Sequence, residues 1–338
     1  MNILVKDTII ELFYWLGNLS LTRKLMNPCR GQAAIVTYHR VLPSHKIKTS
    51  NSPNRGLIVT TERFDQQMRY LSEKYHMIPI DELPNQLTSS SDFAVAVTFD
   101  DGYKDNLTYA LPILKKYNVP ATIYIATRFQ EGDCRMWWYE LEELCDSHTS
   151  ITFIAKGKNC DFSMHDRIQK KRCFRKIHNL LQSLPENEQE TLMDIIRQGR
   201  KPKHYENYCL TWDEIRQLDG EPLITIGAHT HSHVNMKKLS IDELEKEILK
   251  GNLLLEEHLG HSIDHFAYPY GTLNEAGSRE YSFVAAKGFK TAVTNMCDSM
   301  KNDSQNFCLP RYSVLERDDS FKLDIKLSGW NAFWKYQL

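Results

Sequence analysis

Runs of small, β-branched and aromatic residues recur along the chain, separated by helical stretches and polar loops. Ala33–Tyr38 (AAIVTY), Ala94–Phe99 (AVAVTF), Ala121–Ala126 (ATIYIA) and Leu223–Ala228 (LITIGA) have the unbroken apolar character of strands buried on both faces. Met77–Ile80, His265–Tyr268, Lys290–Thr294 and Cys308–Val314 are shorter runs of the same kind. Between them, apolar residues fall at helical spacing. Thr61–Tyr75 puts Phe64, Met68 and Leu71 on one face. Ser240–Leu259 opens with Ser240 and, three residues on, Glu243, the signature of a capping box. Further helices are predicted through Tyr117 (containing Pro112) and over Trp137–Cys145, Trp212–Leu218, 274–287 and Ser320–Leu327. Strands alternating with helices predict a parallel sheet. Seven or eight strands suit an α/β fold of the (β/α) barrel type, with an open doubly wound sheet as the alternative.

Residues 146–209 break this rhythm. They are charged, helical in part (Arg167–Leu184, Glu186–Arg197) and poor in strand signals. They are expected to form a helical insertion, about 146–209, within a domain covering 31–338. Residues 1–30 form a leader. Its apolar run Ile9–Leu21 carries Glu11, lacks a small-residue cleavage site and is too short to span a bilayer. Residues 3–26 fit an amphipathic helix with Leu4, Ile9, Leu12, Phe13 and Leu16 near one face. Such a helix docks on its own domain, or lies on a membrane surface, an option that Trp15, Arg23 and Lys24 keep open. The expected location is therefore cytoplasmic, with peripheral membrane contact through this helix left open.

Composition narrows the function. The 338 residues are 41% hydrophobic and 25% charged, as in soluble globular proteins. A net charge of −1 gives no electrostatic case for nucleic acid. No strand runs into G-x-G-x-x-G or a Walker A loop, which weighs against nucleotide-binding folds. Cysteines at 29, 134, 145, 160, 173, 209, 297 and 308 include no Cys-x-x-Cys pair, and their irregular spacing favours reduced thiols. No obligate protein partner is predicted.

Candidate chemistry collects where strands end. His39 follows the first strand, Asp100-Asp101-Gly102 the second long one, and His229, His231 and His233 the LITIGA strand. Tyr270 follows His265–Tyr268, and Arg311 falls within the last strand. In a parallel barrel the carboxyl ends of the strands share one face, and sites form there. Asp-Asp-Gly alone reads equally as a solvated turn. His229 and His233, four apart, can face one metal if a helical turn follows Ala228, or belong to a polar loop. Two imidazoles and one carboxylate leave a coordination position open to water, as in catalytic zinc sites. A second carboxylate beside them can take a proton from that water.

Three stretches carry a family resemblance: Thr98-Phe99-Asp100-Asp101-Gly102-Tyr103, His229-Thr230-His231-Ser232-His233, and Phe266-Ala267-Tyr268-Pro269-Tyr270-Gly271. In this order they resemble the motifs of the polysaccharide deacetylases, the NodB-homology enzymes of carbohydrate esterase family 4. The resemblance spans about Ile35 to Leu327. It implies a distorted (β/α) barrel and metal-dependent removal of acetyl groups from N-acetylated sugars of a polysaccharide or its precursor. The alternatives are an O-acetyl esterase using the same site and a catalytically inactive glycan-binding barrel.

Carried over by motif, Asp100 is the expected general base, and Asp101, His229 and His233 are the expected ligands of a divalent metal, most simply Zn2+. The Tyr270 N–H is the expected oxyanion donor, and His231 stays a loop residue. Ala267 stands where many members have an arginine that orients the catalytic aspartate. Arg311 is the candidate replacement, with a plain surface salt bridge as the alternative. The late Leu-x-His motif that supplies the general acid in many members is missing after residue 300. Tyr38-His39-Arg40 resembles the early motif of the poly-N-acetylglucosamine-type exopolysaccharide deacetylases, which makes His39 the candidate acid. Tyr270, Arg311 and Tyr103 are expected on the substrate side, and Trp137, Trp138 and Tyr139 are candidate sugar-stacking platforms or core.

Overall fold

A computed structural model of the chain describes residues 30–47, 52–89, 92–155, 157–298, 300 and 304–329. The predicted leader lies outside the described residues apart from Arg30. In chain order the strands are β1 (Ala33–Tyr38), β2 (Arg40–Leu42), β3 (Ile58–Thr60), β4 (His76–Met77), β5 (Ala94–Phe99) and β6 (Ala121–Ile125). They continue with β7 (Ser150–Ala155), β8 (Lys158–Ser163), β9 (Ile224–Ala228), β10 (His265–Ala267), β11 (Thr291–Val293) and β12 (Arg311–Ser313).

The main sheet is parallel in the order β11-β10-β9-β6-β5-β1-β12, with β4 also pairing to β5. Leu309, just ahead of β12, pairs in parallel with Val293 of β11, so the sheet curls into a nearly closed barrel. This is the predicted (β/α) barrel. The pair at its centre is β1 with β5, in register from Ala33 opposite Ala94 to Tyr38 opposite Phe99. Every residue of both strands is buried. Their side chains alternate between two apolar environments. Val36 and Val97 join Phe64, Met68, Ile226 and Leu244 in the layer between sheet and helices. Ile35 and Ala96 join Tyr124, Ala267, Val293 and Leu309 in a separate cluster. Burial on both faces is why these strands read as unbroken apolar runs.

The stretch 146–209 holds the two expected helices, Arg167–Gln182 and Glu186–Arg197, but also an antiparallel hairpin of β7 and β8. The sequence reading missed this hairpin. Ile151 and Phe153 point inward while Ile154, equally apolar, is exposed, so the period-two signal is blurred. These elements and the helix Trp137–Ser147 build a second apolar core around Trp138, Leu141, Phe153, Phe174, Ile177 and Leu192. Cys134 and Cys209, both buried there, are joined as a disulfide, which corrects the expectation of reduced thiols throughout. They are 75 residues apart, so spacing gave no hint of the pairing. Among the described residues no helix is long and apolar enough to cross a membrane.

The helix Ile241–Leu259 starts as the sequence predicts. The Ser240 side chain accepts the Glu243 N–H, and the Glu243 carboxylate accepts the Ser240 N–H. Its Gly251 lies against the loop after β9. A methyl group added there would stand 2.8 Å from the Thr230 carbonyl carbon and 2.9 Å from the His231 nitrogen. Backbone on the far side cannot turn away as a side chain can. Gly251→Ala is expected to cost about 1–3 kcal/mol, read as a lower denaturant midpoint at unchanged m-value.

Candidate active site

The carboxyl ends of β1, β5, β9 and β10 deliver His39, Asp100, Asp101, His229, His233 and Tyr270 to one cavity of about 260 Å³. Asn54, Leu57, Trp138, Phe174, His178 and Asn295 complete most of its lining. A larger hollow of about 570 Å³, lined in part by Arg40, Lys46, Tyr109, Tyr139 and Tyr208, contains none of the candidate catalytic or metal-binding residues.

Asp100 and Asp101 are both buried, at 2% and 3% exposure, where two unneutralised charges would be costly. Each has a separate solution. Arg311 grips Asp100 with both arms: Nη1 donates to Oδ1 and Nη2 to Oδ2, each at 2.7 Å. The arginine is 0% exposed and is itself fixed by the Thr294 carbonyl (2.9 Å), Asn295 Oδ1 (3.0 Å) and Thr98 Oγ1 (3.2 Å). Burial pushes the Asp100 carboxyl up, but Arg311 and, less strongly, His229 outweigh it, holding the group below the usual carboxylate range.

Asp101 faces two imidazoles. Its Oδ1 lies 3.4 Å from His229 Nε2 and 3.2 Å from His233 Nε2. His229 Nδ1 is 2.8 Å from the Ala267 carbonyl, which can only accept, so Nδ1 carries a proton and Nε2 is the nitrogen aimed at Asp101. That nitrogen faces a carboxylate oxygen that has no hydrogen-bond partner among the described residues. Such a contact is satisfied by a proton on Nε2 or by a metal ion held between the two groups. With metal–ligand bonds of about 2.0–2.2 Å, a tetrahedral site has ligand–ligand edges of about 3.3–3.5 Å, close to the distances seen here. The three donor atoms all lie within 4.8 Å of one another, so the group fits a metal ion, and Ala267 supplies the outer support that metal-bound histidines need. Burial pushes the Asp101 carboxyl up, but His233 and His229 outweigh it and hold it well below the ordinary value.

The backbone pays in strain for this convergence. Among the described residues six non-glycine positions have positive φ, and four of them are Asp101 (74°), Thr230 (61°), His233 (55°) and Tyr270 (60°). The loop holding the histidines is pinned from several sides. Thr230 Oγ1 accepts the His233 N–H at 3.0 Å, and the Glu247 carboxylate accepts the Ser232 N–H. His231 is turned away, its Nδ1 2.9 Å from Thr127 Oγ1, which agrees with its reading as a loop residue outside the site.

Two expectations need correction. Arg311 opens β12 rather than lying on the substrate side. It is buried beneath Asp100 and does not line the cavity, so it is neither a substrate contact nor a surface salt bridge. Tyr103 is also fully buried, in the second core, with its ring against Tyr139 (centroids 6.4 Å apart) and its hydroxyl 3.4 Å from the Tyr139 hydroxyl. The residue after Gly102 turns away from the cavity because its backbone pairs with Cys209. Of the three further aromatic candidates, Trp138 alone lines the cavity, its ring 5.4 Å from that of His233. Phe174, His178 and Asn295 were not anticipated. Nothing local in their sequence marks them, and tertiary packing alone brings them to the pocket.

Comparison with known proteins follows the same lines. The family described as polysaccharide deacetylase matches residues 88–153 and 177–285, just over half of the chain. YxkH of Bacillus subtilis (strain 168), which carries a polysaccharide deacetylase name, is 37% identical over 89 residues. That match covers 25% of this chain and 30% of YxkH, so the chain spans under a third of that relative's length. The structure of Streptococcus pyogenes deacetylase PplD in complex with acetate superposes with a TM-score of 0.57 at 18% identity, covering 87% of this chain and 97% of PplD. IcaB from Ammonifex degensii gives 0.55 at 18% identity, covering 88% and 97%. At this identity the two structures support the barrel fold.

Replacing Arg311 by Met leaves Asp100 buried without its cation, and the expected loss of stability is about 3–5 kcal/mol by denaturant unfolding. Adding Asp100→Asn to Arg311→Met removes the orphaned charge, so the double variant is expected to be more stable than Arg311→Met alone. The pH dependence has a definite sign. Because the Asp100 carboxyl is depressed in the fold, the pair's contribution is present above the ordinary carboxylate value and fades as pH falls through the depressed one.

Proposed function

The chain belongs to the polysaccharide deacetylase family, and we propose that it is a metal-dependent hydrolase removing acetyl groups from N-acetylated sugars of a polysaccharide or its precursor. The observation carrying this reading is the split carboxylate pair: Asp101 stands at 3.4 and 3.2 Å from two imidazole nitrogens while Asp100 is held ionised by Arg311.

In this reading Asp101, His229 and His233 hold a divalent metal, with Zn2+ as the simplest choice. Such an ion supplies Lewis-acid polarisation of the acetamide carbonyl and makes the attacking water more acidic. The chain's own residues do the rest. Asp100 takes the proton from the water as it adds to the carbonyl carbon. Arg311 fixes the direction of that carboxylate and keeps it unprotonated. The Tyr270 N–H donates to the oxygen on which negative charge develops. His39, at the end of β1 and in the cavity lining, gives a proton to the departing nitrogen as the C–N bond breaks, leaving acetate and a free amino sugar. The presence of His39 in the cavity lining supports the subgroup with the early Tyr-His-Arg motif. Base and three ligands stand together in one pocket, which speaks against an inactive barrel.

Purified protein is expected to release acetate from N-acetylglucosamine oligomers and to lose that activity with a chelator. Asp100→Asn is expected to lower turnover about a hundredfold or more while metal stays bound. Asp101→Asn is expected to abolish tight metal binding, measured as metal per chain after dialysis. Full activity of either variant overturns the assignment. Faster release from O-acetylated than from N-acetylated sugars would make the protein an esterase instead.

A further inference from the structure

The catalytic reading uses the barrel side of the cavity and leaves the opposite wall without a task. That wall comes from the segment around the second core: Trp138 from the helix Trp137–Ser147, and Phe174 and His178 from the helix Arg167–Gln182. Phe174 and His178 are four residues apart, one turn of one helix, and so share a face. The His178 ring is packed 5.4 Å from the Phe174 ring and 5.0 Å from the Trp137 ring. The Trp138 ring lies 5.4 Å from His233, so the wall borders the proposed metal site directly.

On the deacetylase reading above, we propose that Phe174 and His178 are specificity-determining residues that bind the ring of the acetylated sugar, Phe174 against its C–H face and His178 through a hydroxyl. A pyranose has an apolar face and a hydroxyl edge, and this wall offers an aromatic surface beside two hydrogen-bonding rings, His178 and Trp138, whose indole N–H has no partner among the described residues. The side chain of Asn54, which also lines the cavity, is already committed, donating to the Trp138 carbonyl at 2.9 Å and to Glu142 Oε2 at 2.7 Å. The size is consistent. At about 260 Å³ the cavity falls just below the roughly 300–1,000 Å³ of sites for drug-sized ligands, room for about one sugar unit. Burial pushes the His178 imidazole below its ordinary value, so near neutral pH it is uncharged. A neutral ring has one donor and one acceptor; Asn179 hydrogen-bonds the ring on one side, which leaves the other nitrogen for a sugar hydroxyl, and the ring does not repel the ammonium of the product.

The test compares two substrates: N-acetylglucosamine oligomers, and 4-nitrophenyl acetate, which carries the acetyl group without a sugar. His178→Leu is expected to raise KM for the oligomers about tenfold with kcat changed less than threefold, and to leave ester hydrolysis and Tm unchanged. His178→Gln, which keeps a donor and an acceptor, is expected to restore most of the affinity. Phe174→Ala is expected to act in the same direction on the oligomers. In the slow Asp100→Asn background, calorimetric binding of the oligomers is expected to weaken about tenfold on adding His178→Leu, a readout that needs no turnover. Unchanged oligomer KM and binding in His178→Leu, or equal losses on both substrates, would overturn the assignment while leaving the deacetylase reading intact. A wild-type protein that neither binds nor deacetylates the oligomers yet cleaves the ester would instead overturn the deacetylase reading, and this assignment with it.

Discussion

Two adjacent carboxylates at the end of a strand buried on both faces set the terms for everything around them. Neither Asp100 nor Asp101 is exposed enough for water to carry its charge, and side by side they repel. The fold gives them different neighbours. Asp100 is neutralised from below by a guanidinium with no exposure of its own, in a two-armed contact that fixes position and charge together. Asp101 is met by two imidazoles, one of which is oriented by the Ala267 carbonyl so that its Nε2 faces the carboxylate. In the proposed function the first carboxylate serves as the oriented base and the second as a metal ligand. Such a division needs no difference in residue type, because environment alone separates the two groups.

The barrel makes this division possible by bringing distant strand ends together. The parallel pairing of β1 with β5 sets His39 beside the aspartates, and β9 and β10 bring the histidines and Tyr270 to the same rim. Arg311 comes from β12, which pairs with the other edge of β1, and reaches Asp100 from within the structure. Tyr124 belongs to the same arrangement. Its ring lies against Gly227, where any side chain would collide with it, and the Arg311 guanidinium stands 5.8 Å from its centroid. The left-handed backbone at Asp101, His233 and Tyr270 is the local cost of aiming these groups at one point. It is sustained by the packed helix behind the histidine loop, where Gly251 allows backbone to touch backbone.

The second core has another role. It is assembled from the segment that the strand-and-helix rhythm does not predict, and it lines the same cavity as the candidate site residues. Barrel residues provide chemistry, while Trp138, Phe174 and His178 provide a wall of rings. A pocket built from two separately packed parts can keep its reacting groups fixed while the facing wall varies, since loops and additions tolerate change better than paired strands do. The disulfide between Cys134 and Cys209 lies within this second part, beside the backbone pairing of Cys209 with Tyr103 that leads back to the aspartates.

By itself the sequence determined a parallel α/β sheet (though not its closure into a barrel), the capped helix after the histidine loop, and the grouping of Asp100, Asp101, His229, His233, Tyr270 and His39 at strand ends. All of these follow from local pattern: burial on two faces writes unbroken apolar runs, and the chain must turn polar where such a strand ends. Tertiary structure alone decided the rest. Asp100 and Arg311 are 211 residues apart, and no spacing can say that one guanidinium fits one carboxylate. Tyr103 follows the motif directly, yet its side was set by pairing with Cys209. Phe174 and His178 lie in an ordinary amphipathic helix whose inward face resembles any core. Which core it faces, and that a cavity interrupts it, depends on how two packed units meet, and no residue in the helix records that.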